Sequence, residues 1–248
     1  MSGLLHGKNV IITGARRGIG RAMLSAFAAN GANIWANARE LTSEFQSLCE
    51  AIASEYSVAV WPLCFEMTDH EAMKAAVKEI MAAKRPVDGL VNNAGITHNA
   101  LFQMSGLEEA RRQMEINFFA PYLFTQYIVK LMLRNKGGAV VNVSSTAALD
   151  GNAGKAAYGA SKAALIALTK SIAEELGPGG IRANCLAPGI TETDMLATMP
   201  TQVVQETKEA TALRRAGRPS DIAQAAVFLV SDLAAYVTGQ VIRVDGGM

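Results

Sequence analysis

The sequence is poor in the features that mark several protein classes. It has three cysteines, Cys49, Cys64 and Cys185, widely spaced and with no C-x-x-C pair. An odd, scattered set reads as reduced thiols in a cytosolic protein, not as a disulfide framework or a zinc site. The three histidines, His6, His70 and His98, lack metal-ligand spacing and read as surface or loop residues, so no metal is expected. Neither the G-x-S-x-G elbow of serine hydrolases nor the G-x-x-x-x-G-K-[ST] loop of ATPases occurs. The formal net charge is only +1, which offers no electrostatic case for a nucleic-acid or membrane partner. No apolar run approaches the ~20 residues of a membrane span. The opening stretch from Met1 to Lys8 lacks the apolar core of a signal peptide, so the expected location is the cytoplasm.

What is present is a chain of 248 residues, 50% hydrophobic and 18% charged, enough to bury a core without staples. Short β-branched runs alternate with longer helical patterns. Strands are expected at Lys8–Thr13, Ala32–Asn37, Val58–Phe65, Val87–Val91, Ala139–Ser145, Ile181–Ala187 and Val241–Val244. Between them lie helical patterns such as Leu41–Ser54, His70–Lys84, Leu107–Arg134, Ala156–Leu176 and Pro219–Val230. This alternation predicts an α/β fold: a single domain over 1–248, a doubly wound parallel sheet (Rossmann fold) with helices on both faces. The least regular segment, 191–215, follows a strand's carboxyl end and is expected to form a substrate lid.

Two stretches carry chemistry. Gly14, Arg16, Arg17, Gly18, Ile19 and Gly20 lie between the first strand and a helix. Glycines there permit a tight turn and close approach of a phosphate, and the helix N-terminus offers free N–H groups to the anion. At the end of the second strand, where dinucleotide folds meet the adenosine ribose, stands Arg39 and not a carboxylate, although Glu40 follows. Arginine there favours the 2′-phosphate of NADP(H) over NAD(H). Asn93, Ala94 and Gly95 end the fourth strand, where a cofactor crosses the sheet edge. The second stretch is Tyr158-Gly159-Ala160-Ser161-Lys162. On a helix its phenol and ammonium share one face. A nearby cation lowers a phenol's pKa, so the pair is a candidate proton-transfer unit.

Together with Asn117, Ser145, Pro188 and Gly189, these motifs resemble the short-chain dehydrogenase/reductase family from about Lys8 to Gly247. The resemblance implies a nicotinamide-dependent oxidoreductase acting on a CH–OH group. Tyr158 would pass a proton to or from the substrate oxygen, and Ser145 would stabilise charge on that oxygen. Lys162 would lower the pKa of Tyr158 and hold the nicotinamide ribose, and Asn117 would hold a water in a proton relay. Glu66 and Met67 would lie at the adenine; Glu66 stands where the family usually has the shorter Asp and needs more room. Pro188, Gly189, Thr191 and Thr193 would meet the nicotinamide end.

Within the family, Asn93–Thr97, Thr193–Met195 and the run from Val237 to Met248 look most like the branch of 3-oxoacyl-[acyl-carrier-protein] reductases of fatty acid biosynthesis. That implies an acyl-thioester substrate, acyl carrier protein as a candidate partner, and a homotetramer built through the helices at Leu107–Arg134 and Ala156–Leu176. One departure concerns the basic residues that flank the cleft in such enzymes. Arg134 and Lys136 stand on one side, but Glu174 and Glu175 offer no cation on the other. The alternatives are a sugar, polyol or other small ketone as substrate, or a non-catalytic dinucleotide-binding regulator.

Overall fold

In the computed structural model, residues 3–194, 196 and 201–248 are described. Among them the strands are β1 (Asn9–Ile12), β2 (Asn33–Ala38), β3 (Val60–Cys64), β4 (Gly89–Asn92), β5 (Gly138–Val143), β6 (Ile181–Pro188) and β7 (Val241–Val244). They form one sheet in the order β3-β2-β1-β4-β5-β6-β7, every pairing parallel. The helices are α1 (Gly18–Ala29), α2 (Ser43–Tyr56), α3 (His70–Ala82), α4 (Leu107–Met114), α5 (Ala120–Arg134), α6 (Ala156–Leu176), α7 (Thr201–Ala210) and α8 (Pro219–Val230).

The strands read as apolar runs because both faces of the sheet are covered. Alternate residues of β1 serve different layers. Val10 and Ile12 pack with α1, α2 and α8 through Met23, Leu24, Phe27, Phe45 and Val227. Ile11 faces the other way, with Met73, Ile80, Phe124 and Ile128 of α3 and α5. A fully buried side chain of this size contributes about 1.5–3 kcal/mol, so the two layers hold the sheet rigid where the site needs it. From β1 the chain winds outward to β3, then returns to β4 on the other side. The carboxyl ends of β1 and β4 therefore flank the switch point where open α/β sheets take ligands.

Two expectations are corrected. The helical run Leu107–Arg134 is not continuous: Glu115–Phe119 forms a π-helical turn between α4 and α5. Pro121 has no N–H to donate to the carbonyl of Asn117 four residues earlier, so the α-helical ladder cannot pass this point unbroken. The segment 191–215, expected to be irregular, contains α7. That helix is polar and stitched by Gln202–Glu206 and Gln205–Glu209 hydrogen bonds at i,i+4, so it shows no apolar period. Part of the expected lid, residues 195 and 197–200, lies outside the described residues.

Candidate active site

The switch point is locked before any ligand is considered. Thr13 Oγ1 accepts from the amides of Asn93 (2.9 Å) and Ala94 (3.0 Å). Asn93 Nδ2 returns hydrogen bonds to the carbonyls of Thr13 (3.0 Å) and Gly14 (3.3 Å). The Gly14 amide donates to Asn37 Oδ1 at the end of β2. The glycines are needed here. Gly14 and Gly18 have φ of 66° and 54°, and a side chain at Gly20 would overlap the carbonyl oxygen of Gly14.

The start of α1 fits the diphosphate of a dinucleotide. Its N-cap, Arg17, makes no side-chain cap, and the first turn holds no acidic residue. The N–H groups at that end are thus free for an anion. The Ile19 side chain is partly buried against the core and Met67 is buried. Arg16 and Arg39 are exposed. Arg39 lies 3.9 Å from Glu66, which places both at the carboxyl edge of β2 and β3. Arg17 instead reaches Asp194 (3.3 Å) in the segment after β6. Thr191 donates to the Gly189 carbonyl (3.0 Å) and Thr193 to the Thr191 carbonyl (3.4 Å). A Cβ at Gly18 would touch Thr193 at 3.4 Å, so this segment folds back over the glycine turn. At Gly189 a Cβ would meet Asp245 at 2.7 Å, which keeps that turn bare.

The groups expected to react lie at the carboxyl end of β5 and the start of α6. Tyr158 and Lys162 are 7% and 4% exposed. Burial pushes the Tyr158 phenol above its usual range, opposed by a hydrogen bond with Ser145. The expected lowering of this phenol by Lys162 is not what the geometry gives. Lys162 Nζ donates to the Val143 carbonyl (2.8 Å), and burial lowers its pKa to about 8. Cys185, next to it, is a neutral thiol pushed up to about 11 by burial. Ser144 donates to the Lys162 carbonyl (2.8 Å) and so anchors the helix, while Ser145 faces the cleft, its hydroxyl accepting from Ala147 N (3.2 Å).

Asn117 is fully buried in the π turn. Its Oδ1 accepts from Ile96 N (2.8 Å); its Nδ2 donates to Ile96 O (2.9 Å) and Ser161 Oγ (3.0 Å). A Cβ at Gly95 would lie 3.0 Å from Asn117 Oδ1 and 3.1 Å from Lys162 Nζ, so both groups close on this glycine. The donors of the Asn117 carboxamide are thus spent on the loop after β4, at Ile96, and on Ser161 of α6.

Three residues outside the expected set belong to this arrangement. Thr13 and Asn37 clamp the glycine turn; Thr13 opens the glycine motif, while nothing local marks Asn37. Ser161 donates to the Tyr158 carbonyl (2.7 Å) while accepting from Asn117. Its signal was its place between Tyr158 and Lys162, three residues after the tyrosine. Ser161→Ala is expected to strand the buried Asn117 donor, at about 1–3 kcal/mol, and to lower kcat by loosening Tyr158. Thermal melting and turnover together check it; wild-type values in both would show that this hydroxyl positions nothing.

A parallel doubly wound sheet with a glycine turn at its switch point and a Ser-Tyr-Lys cluster beside it defines a dinucleotide-dependent oxidoreductase. The comparisons agree. A family model described as enoyl-(acyl carrier protein) reductase matches residues 14–248. A curated relative, the 3-oxoacyl-[acyl-carrier-protein] reductase of Aquifex aeolicus, is 37% identical over 98% of both chains. The 3alpha-hydroxysteroid dehydrogenase of Mediterraneibacter gnavus is 39% identical over 98% of this chain and 97% of its own. Among solved structures, a 3-oxoacyl-[acyl-carrier protein] reductase from Brucella melitensis with bound NAD superposes with a TM-score of 0.90 at 31% identity. It covers all of this chain and 93% of its own. The chain belongs to the short-chain dehydrogenase/reductase family. As such it is an oxidoreductase of the CH–OH/carbonyl couple that binds a nicotinamide dinucleotide. No helix among the described residues is long and apolar enough to cross a membrane.

Proposed function

We propose that this protein is an NADP(H)-dependent carbonyl reductase that converts a 3-oxoacyl thioester to the 3-hydroxyacyl form. The observation that carries the reading is the buried Tyr158 phenol beside the half-buried Ser145 hydroxyl, with the buried Lys162 one turn further along the same helix. Two oxygen-directed donors suit a carbonyl oxygen that gains charge and then a proton. Reduction of a carbon–carbon double bond, named in the family description, ends with the proton on carbon, whereas both of these donors address an oxygen. The bound dinucleotide would supply the hydride.

In this reading Ser145 polarises the carbonyl and Tyr158 delivers the proton. The buried Lys162 ammonium, close to Gly95, is charged below about pH 8 and would bind the ribose hydroxyls. Gly14, Gly18, Ile19 and Gly20 hold the diphosphate, while Asn93, Ala94, Gly95, Pro188, Gly189, Thr191 and Thr193 border the nicotinamide half. Glu66 and Met67 border the adenine, and segment 191–215 serves as the lid. Asn117 holds the Ile96 backbone against α6 and so supports the relay from Lys162.

Arg39, with Arg16 in the glycine turn, supports NADP(H), since neither Ala38 nor Arg39 offers the ribose a carboxylate. Acyl carrier protein is acidic, and the charges expected beside the cleft do not flank it within this chain: Arg134, Lys136, Glu174 and Glu175 are exposed together at the amino ends of β5 and β6, the sheet edge opposite Ser145 and Tyr158. Carrier contacts from these residues are therefore weaker than two basic flanks would give. The homotetramer is supported by the exposed Phe119 at the end of the π turn and by Tyr122 and Leu133 along α5. A steroid ketone is the second reading, favoured by the exposed Leu101, Phe102 and Met104 near the cleft.

The test is reduction of acetoacetyl-CoA and of its carrier-protein form with NADPH or NADH, read as loss of nicotinamide absorbance. We expect NADPH to bind about tenfold to a hundredfold tighter, the value of one charge-assisted contact of ~1.5–3 kcal/mol. Carrier-bound and coenzyme A substrates should differ only modestly in kcat/KM. Tighter NADH binding would assign the ribose to Glu40, and no turnover of either thioester would hand the site to the ketone alternatives.

A further inference from the structure

Lys155 is a cation at the reaction centre to which the scheme above gives no task. It is the residue before α6, three positions ahead of Tyr158 and on the same helical face. Its Nζ lies 5.4 Å from the centroid of the Tyr158 ring. The side chain is half-buried. Burial alone acts on its ammonium, which is held below its usual range, and no carboxylate among the described residues pairs with it.

The placement is unfavourable by itself. The N-terminus of the 21-residue α6 carries positive partial charge, repels a cation there, and has neither an acidic residue in its first turn nor a side-chain cap. Contact with the aromatic ring is a weaker attraction than the hydration that burial removes. Among the described residues the ammonium therefore has no oxygen partner, although it stands beside the Tyr158 ring. The wall beside it is tied down: Ala100 N donates to the Gly154 carbonyl (3.0 Å), joining the loop after β4 to the turn that leads into Lys155.

We propose that Lys155 is a specificity-determining residue that holds the C1 oxygen of a 3-oxo substrate, two carbons from the carbonyl that is reduced. This rests on the reading that the site takes 3-oxoacyl groups. The oxygen belongs either to a thioester carbonyl or to the carboxylate of a free 3-oxo acid; both offer negative charge to an ammonium, and a simple ketone offers none.

Steady-state kinetics of wild type, Lys155→Met and Lys155→Arg with acetoacetyl-CoA, acetoacetate and a plain methyl ketone test this. The methionine variant is expected to raise KM about tenfold to a hundredfold for whichever 3-oxo compound the wild type turns over. The effect should fall on KM rather than kcat, with NADPH affinity and melting temperature kept, and arginine should restore most of it. An unchanged KM, or an equal loss on the plain ketone, overturns the proposal while leaving the thioester reading intact. Turnover of acetoacetate but not acetoacetyl-CoA, lost in Lys155→Met, overturns the thioester reading and keeps Lys155. Turnover of neither 3-oxo compound overturns both.

Discussion

Tyr158→Phe is expected to lower kcat by roughly two to four orders of magnitude, the usual contribution of one positioned proton donor, with NADPH affinity close to wild type. The substitution removes one oxygen and keeps the ring. The Tyr158 ring is almost fully buried, and its backbone carbonyl is held by Ser161, so α6 keeps its place. Ser145 remains to polarise the carbonyl but has no proton of suitable acidity to give. Because burial raises the phenol, Tyr158 is protonated throughout the neutral range, which is the form that reduction requires. Single-turnover measurements with saturating NADPH separate this loss from product release. A variant that keeps more than a tenth of wild-type kcat would exclude the phenol as the donor.

Lys162→Met is expected to damage turnover and cofactor affinity together, each by about tenfold or more, the loss of a charge-assisted contact. The side chain is fully enclosed, and methionine fills similar volume without the ammonium, so the fold should persist. The pH dependence gives a second handle. The pKa of Lys162 is about 8 in the folded protein against an ordinary 10.5. Reduction should decline as pH rises through about 8 and the ammonium is lost. Stability should move the other way. The cost of burying the charged form is fully present below about 8 and is relieved between about 8 and 10.5, where the unfolded chain binds more protons than the folded one. Activity falling while this group raises the melting temperature is a pattern that general alkaline unfolding does not produce. In Lys162→Met both trends should disappear. A flat wild-type rate from pH 7 to 9.5 would remove the charged ammonium from the reaction.

Much of this site could be read along the chain because its chemistry sits in short local patterns. Tyr158 and Lys162 are four residues apart, and the helix at Ala156–Leu176 has the expected bounds. The glycine turn lies between a strand and a helix, as its spacing implied. Elements with strong period or punctuation, such as Pro219–Val230 and Val241–Val244, were equally legible. The π turn was less so: Pro121 announces an interruption, but how the ladder rearranges depends on what Asn117 finds to bond. α7 escaped notice because a polar helix has no apolar stripe.

By itself, then, the sequence determined the α/β class, the strand and helix order, and which residue types stand at each strand's carboxyl end. These follow from local sterics and from hydrophobic periodicity, both of which act between near neighbours. Only the tertiary structure decided what those residues can do. Lys162 has an acceptor in Val143, nineteen positions away, and a pKa set by enclosure. Asn117 is tied to Ile96 and Ser161, and Arg17 turns to Asp194, 177 positions distant. Among the described residues, Lys155 stands without a counter-ion above the Tyr158 ring. Desolvation and hydrogen bonding act over about 3 Å of space, and the partners that supply them come from strands and loops that only the folded sheet brings together.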